Sequence, residues 1–182
     1  AGAPFMKNIH PFISVTSLVT VTILFRLIAY VFYGDTQLEN EWQILVHNLT
    51  EQGVLGINVV VSEFIAIPKL ASSNELVLPS VFMPPLYAYF INVIKLFFNN
   101  IFDLVKLVIF IQIFLSLISI YIFFKIVRNF ENIKLSLILT SIFSIFPLYV
   151  YSSVQISSIC IQIFLLLSFF YFLIQYLEKK GT

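Results

Sequence analysis

Two carboxylates, Glu39 and Glu41, flank one asparagine, and Trp42 follows directly. At the start of a helix such a pair does one of two things. It favours the positive end of the helix dipole, or it supplies a base that takes a proton from an acceptor group. Six acids, Asp35, Glu39, Glu41, Glu51, Glu63 and Glu75, fall between Gly34 and Phe82, where the single base is Lys69. Arg26 draws attention for the opposite reason: it is the one charge in the apolar stretch from Pro11 to Tyr33. An intramembrane arginine is functional by default. The bland alternatives are that it snorkels to the interface or pairs with Asp35.

The remaining polar signals are weaker. His47 reads as a polar-face residue of a surface helix, and His10 as a cap before Pro11. Asn48-Leu49-Thr50 matches the glycosylation acceptor pattern, but by chance within a helix. Cys160 reads as packing; Gln112, Gln155, Gln162 and Gln175 suit bonds between membrane helices. One cysteine excludes a disulfide framework and a cysteine-based zinc site. No Walker, Rossmann, zinc-protease or nucleophile-elbow pattern is present.

The elements that must hold these residues follow from composition. The chain has 182 residues, 60% hydrophobic and only 10% charged, with a mean hydropathy of +1.00. Soluble domains carry about 25% charged residues, so a water-soluble enzyme is excluded. A formal charge of +1 gives no clustered basic face for nucleic acid. The class is an all-α integral membrane protein. Spans of about 20 apolar residues are expected at 11–33, 104–127, 135–151 and 156–177. Residues 1–5 and 181–182 read as cloning additions around a single module, 6–180.

The first loop, 34–103, carries two short helices. Over 39–52, Trp42, Leu45, Val46 and Leu49 form one apolar face, and Gly53 is a natural stop. This helix is expected to lie on the outer leaflet with Trp42 at the interface. Over 85–98, Pro84 and Pro85 open a second helix of about 14 residues, short for a crossing. Charge supports four crossings. With the N-terminus inside, Lys7, Lys125, Arg128, Lys134, Lys179 and Lys180 are cytoplasmic, against Lys69, Lys95 and Lys106 outside. From Val54 the loop is too apolar for a solvated linker and is expected to fold back on the membrane or line a cavity.

Several elements in this order resemble the N-terminal module of the GT-C glycosyltransferases. They are the late arginine of the first span, Glu39-Asn40-Glu41-Trp42, Asn48-Leu49, Gly53, Met83-Pro84-Pro85-Leu86-Tyr87, the basic turn from Lys125 to Lys134, and Phe146-Pro147-Leu148-Tyr149 followed by Tyr151-Ser152-Ser153. The nearest likeness is to the protein O-mannosyltransferase and aminoarabinose-transferase type. The resemblance implies two juxtamembrane helices in the first loop. It also implies transfer of a sugar from a polyprenyl-phosphate carrier to an acceptor outside a bacterial cytoplasmic membrane. The base would be Glu39 or Glu41, Glu39 fitting the spacing to Gly53 better. Arg26 would face the leaving phosphate, with Lys69 the alternative, and Trp42, Pro84, Pro85 and Tyr87 would contact the lipid-linked sugar. No ligand spacing demands a cofactor, although a divalent ion held by Glu39, Glu41 and the phosphate fits the chemistry.

A second reading keeps the module without catalysis, as a small membrane scaffold for a partner subunit or a second copy. Ser157 and Ser158 stand where the family often has an acid.

Overall fold

The computed structural model describes residues 11–38, 40–62, 65–69, 78–79, 83–97 and 101–181. The elements run α1 (Pro11–Tyr33), α2 (Asn40–Gln52), β1 (Gly56–Ser62), β2 (Ile65–Lys69), β3 (Leu78–Pro79), α3 (Pro85–Lys95), α4 (Ile101–Phe130), α5 (Ile133–Ser144), α6 (Pro147–Ser152) and α7 (Ile159–Gly181). The chain divides into two compact units. A membrane unit holds Ala1–Gly34 and Ile109–Thr182, and a loop unit holds Asp35–Val108. α4 opens in the loop unit and belongs to the membrane unit from Ile109 on.

Among the described residues, three helices are long and apolar enough to cross a membrane: Thr16–Tyr33 of α1, Asp103–Phe130 of α4 and Ile159–Lys180 of α7. The protein is a mostly helical membrane protein. α1 covers the stretch expected for the first span. It stops where Gly34 sits so close to Tyr30 that an added Cβ would lie 2.5 Å from the Tyr30 carbonyl oxygen. α4 runs longer than the expected 104–127, and α7 starts three residues later than the expected 156.

The stretch expected as a single span over 135–151 is broken. α5 is a 12-residue helix, about 18 Å long and short of a hydrocarbon core about 30 Å thick. The cause is Pro147. The residue before a proline is pushed out of the helical region, and Phe146 has φ −58° and ψ 120°. α6 then restarts for six residues, and residues 153–158 are irregular before α7 begins. Asn132 caps α5, its side chain accepting from the Leu135 N–H at 3.0 Å.

The loop unit contains what the sequence reading lacked, a three-stranded antiparallel sheet in the order β2-β1-β3. Its register runs from Asn58↔Lys69 to Ser62↔Ile65 on one side of β1, and through Gly56↔Pro79 and Ile57↔Leu78 on the other. Ile57 and Val59 to Val61 are the β-branched run that favours the central strand. Pro68 and Pro79 stand in the two edge strands, where a missing N–H costs no ladder bond. α2 packs on both α3 and β1. Gly53, at φ +69°, ends α2 in the left-handed region that glycine adopts without strain.

Candidate functional site

The loop unit is organised by the α2–α3 pair. Ile44, Leu45, Val46 and Leu49 of α2 and Tyr87, Ala88, Ile91 and Ile94 of α3 are buried. Trp42 meets Tyr87 edge to face, with ring centroids 4.7 Å apart, and Tyr87 stacks on Phe90 at 5.9 Å. Thr50 and Asn92 tie the helices together at 2.8 Å, and Lys95 Nζ donates to the Thr50 hydroxyl at 3.1 Å.

Several sequence expectations change here. Tyr87, expected to contact the lipid-linked sugar, is 1% exposed. Its ring is core, and Tyr89, on the outer face of α3, is the exposed tyrosine. Pro84 and Pro85 act as helix starters. Pro84 is the cap residue, Pro85 the first helical residue, and the Pro84 carbonyl accepts from the Tyr87 N–H at 3.2 Å. Asn48 is fully buried, and its Nδ2 donates to the Gly56 carbonyl at 2.8 Å. It anchors β1 to α2, so its amide is not offered to a glycosylating enzyme.

Glu41 lies in the first turn of α2, half-buried beside half-buried Trp42. Glu39 lies outside the described residues. Lys69 ends β2, opposite Asn58. Among the described residues no group of three His, Cys, Asp or Glu side chains gathers to hold a metal ion.

Arg26 belongs to the membrane unit, and its surroundings speak against the bland alternative of snorkelling. The residue is 0% exposed. Its Nε donates to Ser116 Oγ of α4 at 2.6 Å. Its Nη1 reaches the Ser144 carbonyl of α5 at 3.2 Å and the Thr22 carbonyl one turn back at 3.4 Å. The guanidinium carbon stands 5.2 Å from the centre of the Tyr149 ring, a cation–π distance. Tyr149 in turn stacks on Phe143 at 4.9 Å, and Phe143 on Phe123 at 4.6 Å. The side chain turns inward because three helices offer it oxygen and aromatic partners at membrane depth, where an unsatisfied polar group is costly.

The sequence reading singled out Arg26 but missed the company it keeps. Thr22, Ser116, Ser119, Ser136, Thr140 and Ser144 are all buried. The signal was present in the spacing. Thr22-Arg26-Ala29, Gln112-Ser116-Ser119 and Ser136-Thr140-Ser144 each recur at three- or four-residue steps, one face of a helix. Gln112 fulfils the role expected of it. Its Nε2 lies 2.9 Å from the Ser157 carbonyl and 3.1 Å from that of Gln155, serving the irregular backbone between α6 and α7. Cys160 is buried, as expected of a packing residue, with Sγ 3.0 Å from the Gln112 carbonyl.

No family model, curated protein or solved structure matches this chain.

Proposed function

We propose that the chain is a GT-C-like membrane module that handles a polyprenyl-phosphate-linked sugar at the outer face of a bacterial cytoplasmic membrane. The observation that carries this is the α2–α3 pair. The resemblance implies two short helices in the first loop, at 39–52 and 85–98, and the loop unit holds helices at Asn40–Gln52 and Pro85–Lys95. They are joined through Trp42 and Tyr87. In this reading the ends of the chain are cytoplasmic and the loop unit lies outside. α5 and α6, bent at Pro147, together make a fourth crossing.

The transfer displaces a lipid phosphate at the anomeric carbon of the sugar. The acceptor hydroxyl loses its proton to a carboxylate, Glu39 or Glu41. The leaving phosphate needs a cation or hydrogen-bond donors. The burial of Arg26 takes it away from a headgroup at the surface, so Lys69, on the same unit as the two acids, becomes the preferred cation.

Native mass spectrometry of the protein in mild detergent tests this. A retained polyprenyl-phosphate species, lost in Lys69→Ala, is expected. Glu39→Gln and Glu41→Gln should retain the lipid while at least one abolishes sugar transfer. Absence of any lipid phosphate, with both glutamine variants neutral, overturns the reading.

The scaffold reading keeps one observation in its favour. Only 6% of the apolar stretch of α7 is buried; among the described residues it packs on the six-residue α6 and, through Cys160, on α4. A helix so bare has room for a partner subunit or a second copy, which the same mass measurement counts.

A further inference from the structure

A groove of about 620 Å³ runs between α1 and α5, lined by Leu18, Val21 and Phe25 of α1 and by Ile138, Ser141 and Ile142 of α5. The volume lies within the range of about 300–1,000 Å³ that takes a bound small molecule. The two helices line it in step. From Ser17 to Phe25 and from Leu137 to Ile145 each advances eight residues, about 12 Å of helix. That is close to the depth of one leaflet, half of a hydrocarbon core about 30 Å thick. Val21, Phe25, Ile138 and Ile142 are exposed, and α1 is long and apolar enough to cross a membrane, so the groove opens towards hydrocarbon. A second groove of about 380 Å³ shares Phe25 and Ile145 and continues to Tyr33 and Tyr151, which gives a longer chain room to extend.

One end of the groove is basic. Lys134, Ile138, Ser141 and Ile145 follow at helical steps of four, three and four residues, one face of α5. Three of them line the groove, and exposed Lys134 stands one turn before Ile138 on that face. From Lys125 to Lys134 the chain carries three bases, Lys125, Arg128 and Lys134, against one acid, Glu131. Arg128 Nη1 donates to the Glu131 carbonyl at 3.0 Å, which holds its charge at the turn between α4 and α5. The position of Lys134 also works against its own helix. The first turn of α5 has no acid, and a cation at the positive end of the helix dipole is unfavourable. An anion seated there is attracted by the ammonium and by the dipole together.

We propose that this groove seats one anionic glycerophospholipid from the leaflet on the side of the α4–α5 turn. An acyl chain lies between α1 and α5, and the phosphate sits at Lys134. The apolar walls ask for a hydrocarbon chain, and the basic end selects a headgroup with net negative charge over a zwitterionic one. The site uses none of Glu39, Glu41 and Lys69, so it goes beyond the transfer reading and does not need it. In the orientation proposed above it lies on the cytoplasmic side, away from the sugar chemistry.

The test uses the full chain in mild detergent, with palmitoyl-oleoyl phosphatidylglycerol or its phosphatidylcholine counterpart added at equal concentration and bound lipid counted by native mass spectrometry. One phosphatidylglycerol should be retained, preferred over phosphatidylcholine by about fivefold or more, the worth of one base at an anionic lipid. Lys134→Gln should remove most of that preference, while Lys180→Gln, at the end of α7, should keep it. Ile138→Trp should fill the groove and abolish retention of either lipid. If Ile138→Trp does not fold, Ile142→Trp and Lys134→Gln still decide. Equal retention of the two lipids, or equal losses in Lys134→Gln and Lys180→Gln, overturns the proposal and leaves only diffuse attraction. A dimer without lipid that Ile138→Trp disperses overturns it and gives the groove to a second copy. A polyprenyl phosphate that displaces phosphatidylglycerol overturns it too and gives the groove to the carrier. An intact phosphatidylglycerol preference with no polyprenyl phosphate and neutral Glu39 and Glu41 variants supports this site and defeats the transferase.

Discussion

The two units differ in how much polar side chain they bury. In the loop unit the buried side chains are Leu45, Val46, Leu49, Tyr87, Ala88 and Ile91, with Asn48 the buried polar residue among those described. In the membrane unit Thr22, Arg26, Gln112, Ser116, Ser119, Ser136, Thr140 and Ser144 are buried beside Ala29, Ile109, Ile120 and Val154, while Leu24, Val31, Phe110 and Phe172 face outward. The difference is one of solvent. Burying apolar surface drives folding from water, and the loop unit relies on it. Lipid tails are as apolar as leucine, so helices in a bilayer associate through small residues, close packing and hydrogen bonds. One chain uses both schemes and changes from one to the other within α4, at Val108–Ile109.

The largest expected effect breaks the loop unit alone. Tyr87→Ala removes the ring that joins α3 to Trp42 and should cost about 3–5 kcal/mol. Hydrogen exchange should rise throughout Asp35–Val108 while α1 and α7 keep their protection; an equal rise in both units would make them one cooperative structure. Next comes the membrane unit. Ser116→Leu deletes the acceptor of Arg26 Nε and overfills its place, for about 1–3 kcal/mol, read from the unfolding midpoint in detergent. A midpoint equal to wild type would mean that the guanidinium does not depend on Ser116.

Two smaller changes sharpen the contrast. Gly53→Ala forces a side chain into the left-handed region and should cost about 1–2 kcal/mol, with Gly53→Asn milder; paired thermal melts measure both. Thr140→Val removes a hydroxyl that, among the described residues, bonds within α5. Polar contacts in membrane helices average about 0.6 kcal/mol, so its midpoint should barely move. A large loss there would give Thr140 a role across helices.

What could be read from the sequence depended on what interrupts it. α1 was legible to the residue, because Pro11 and Gly34 bracket an apolar run. α2 and α3 were legible from Trp42, Leu45, Val46 and Leu49 at helical spacing and from the proline pair. Pro147 is visible in the sequence, but hydropathy averages over a stretch of chain and is blind to the backbone geometry a proline imposes. The strands went unread because Val59 to Val61 is too short a run for periodicity to tell strand from helix. The hydroxyl interior went unread for another reason. Serine and threonine cost little in a hydropathy sum, so a polar core in a membrane bundle hides inside an apolar average. Of the residues named as candidates, Glu41 and Trp42 lie in the first turn of α2, and Tyr87 packs in the core against Trp42, where a lipid contact was expected.

Pro68 and Pro79 bear on how the sheet meets a second copy of the chain. A sheet with open edges is a template on which a second chain can add a strand, and such additions grow into aggregates. Here each outer strand carries a residue with no N–H to give. The sheet is therefore capped on both sides, and neighbouring copies at high density in a membrane find no continuous row of donors along which to stack.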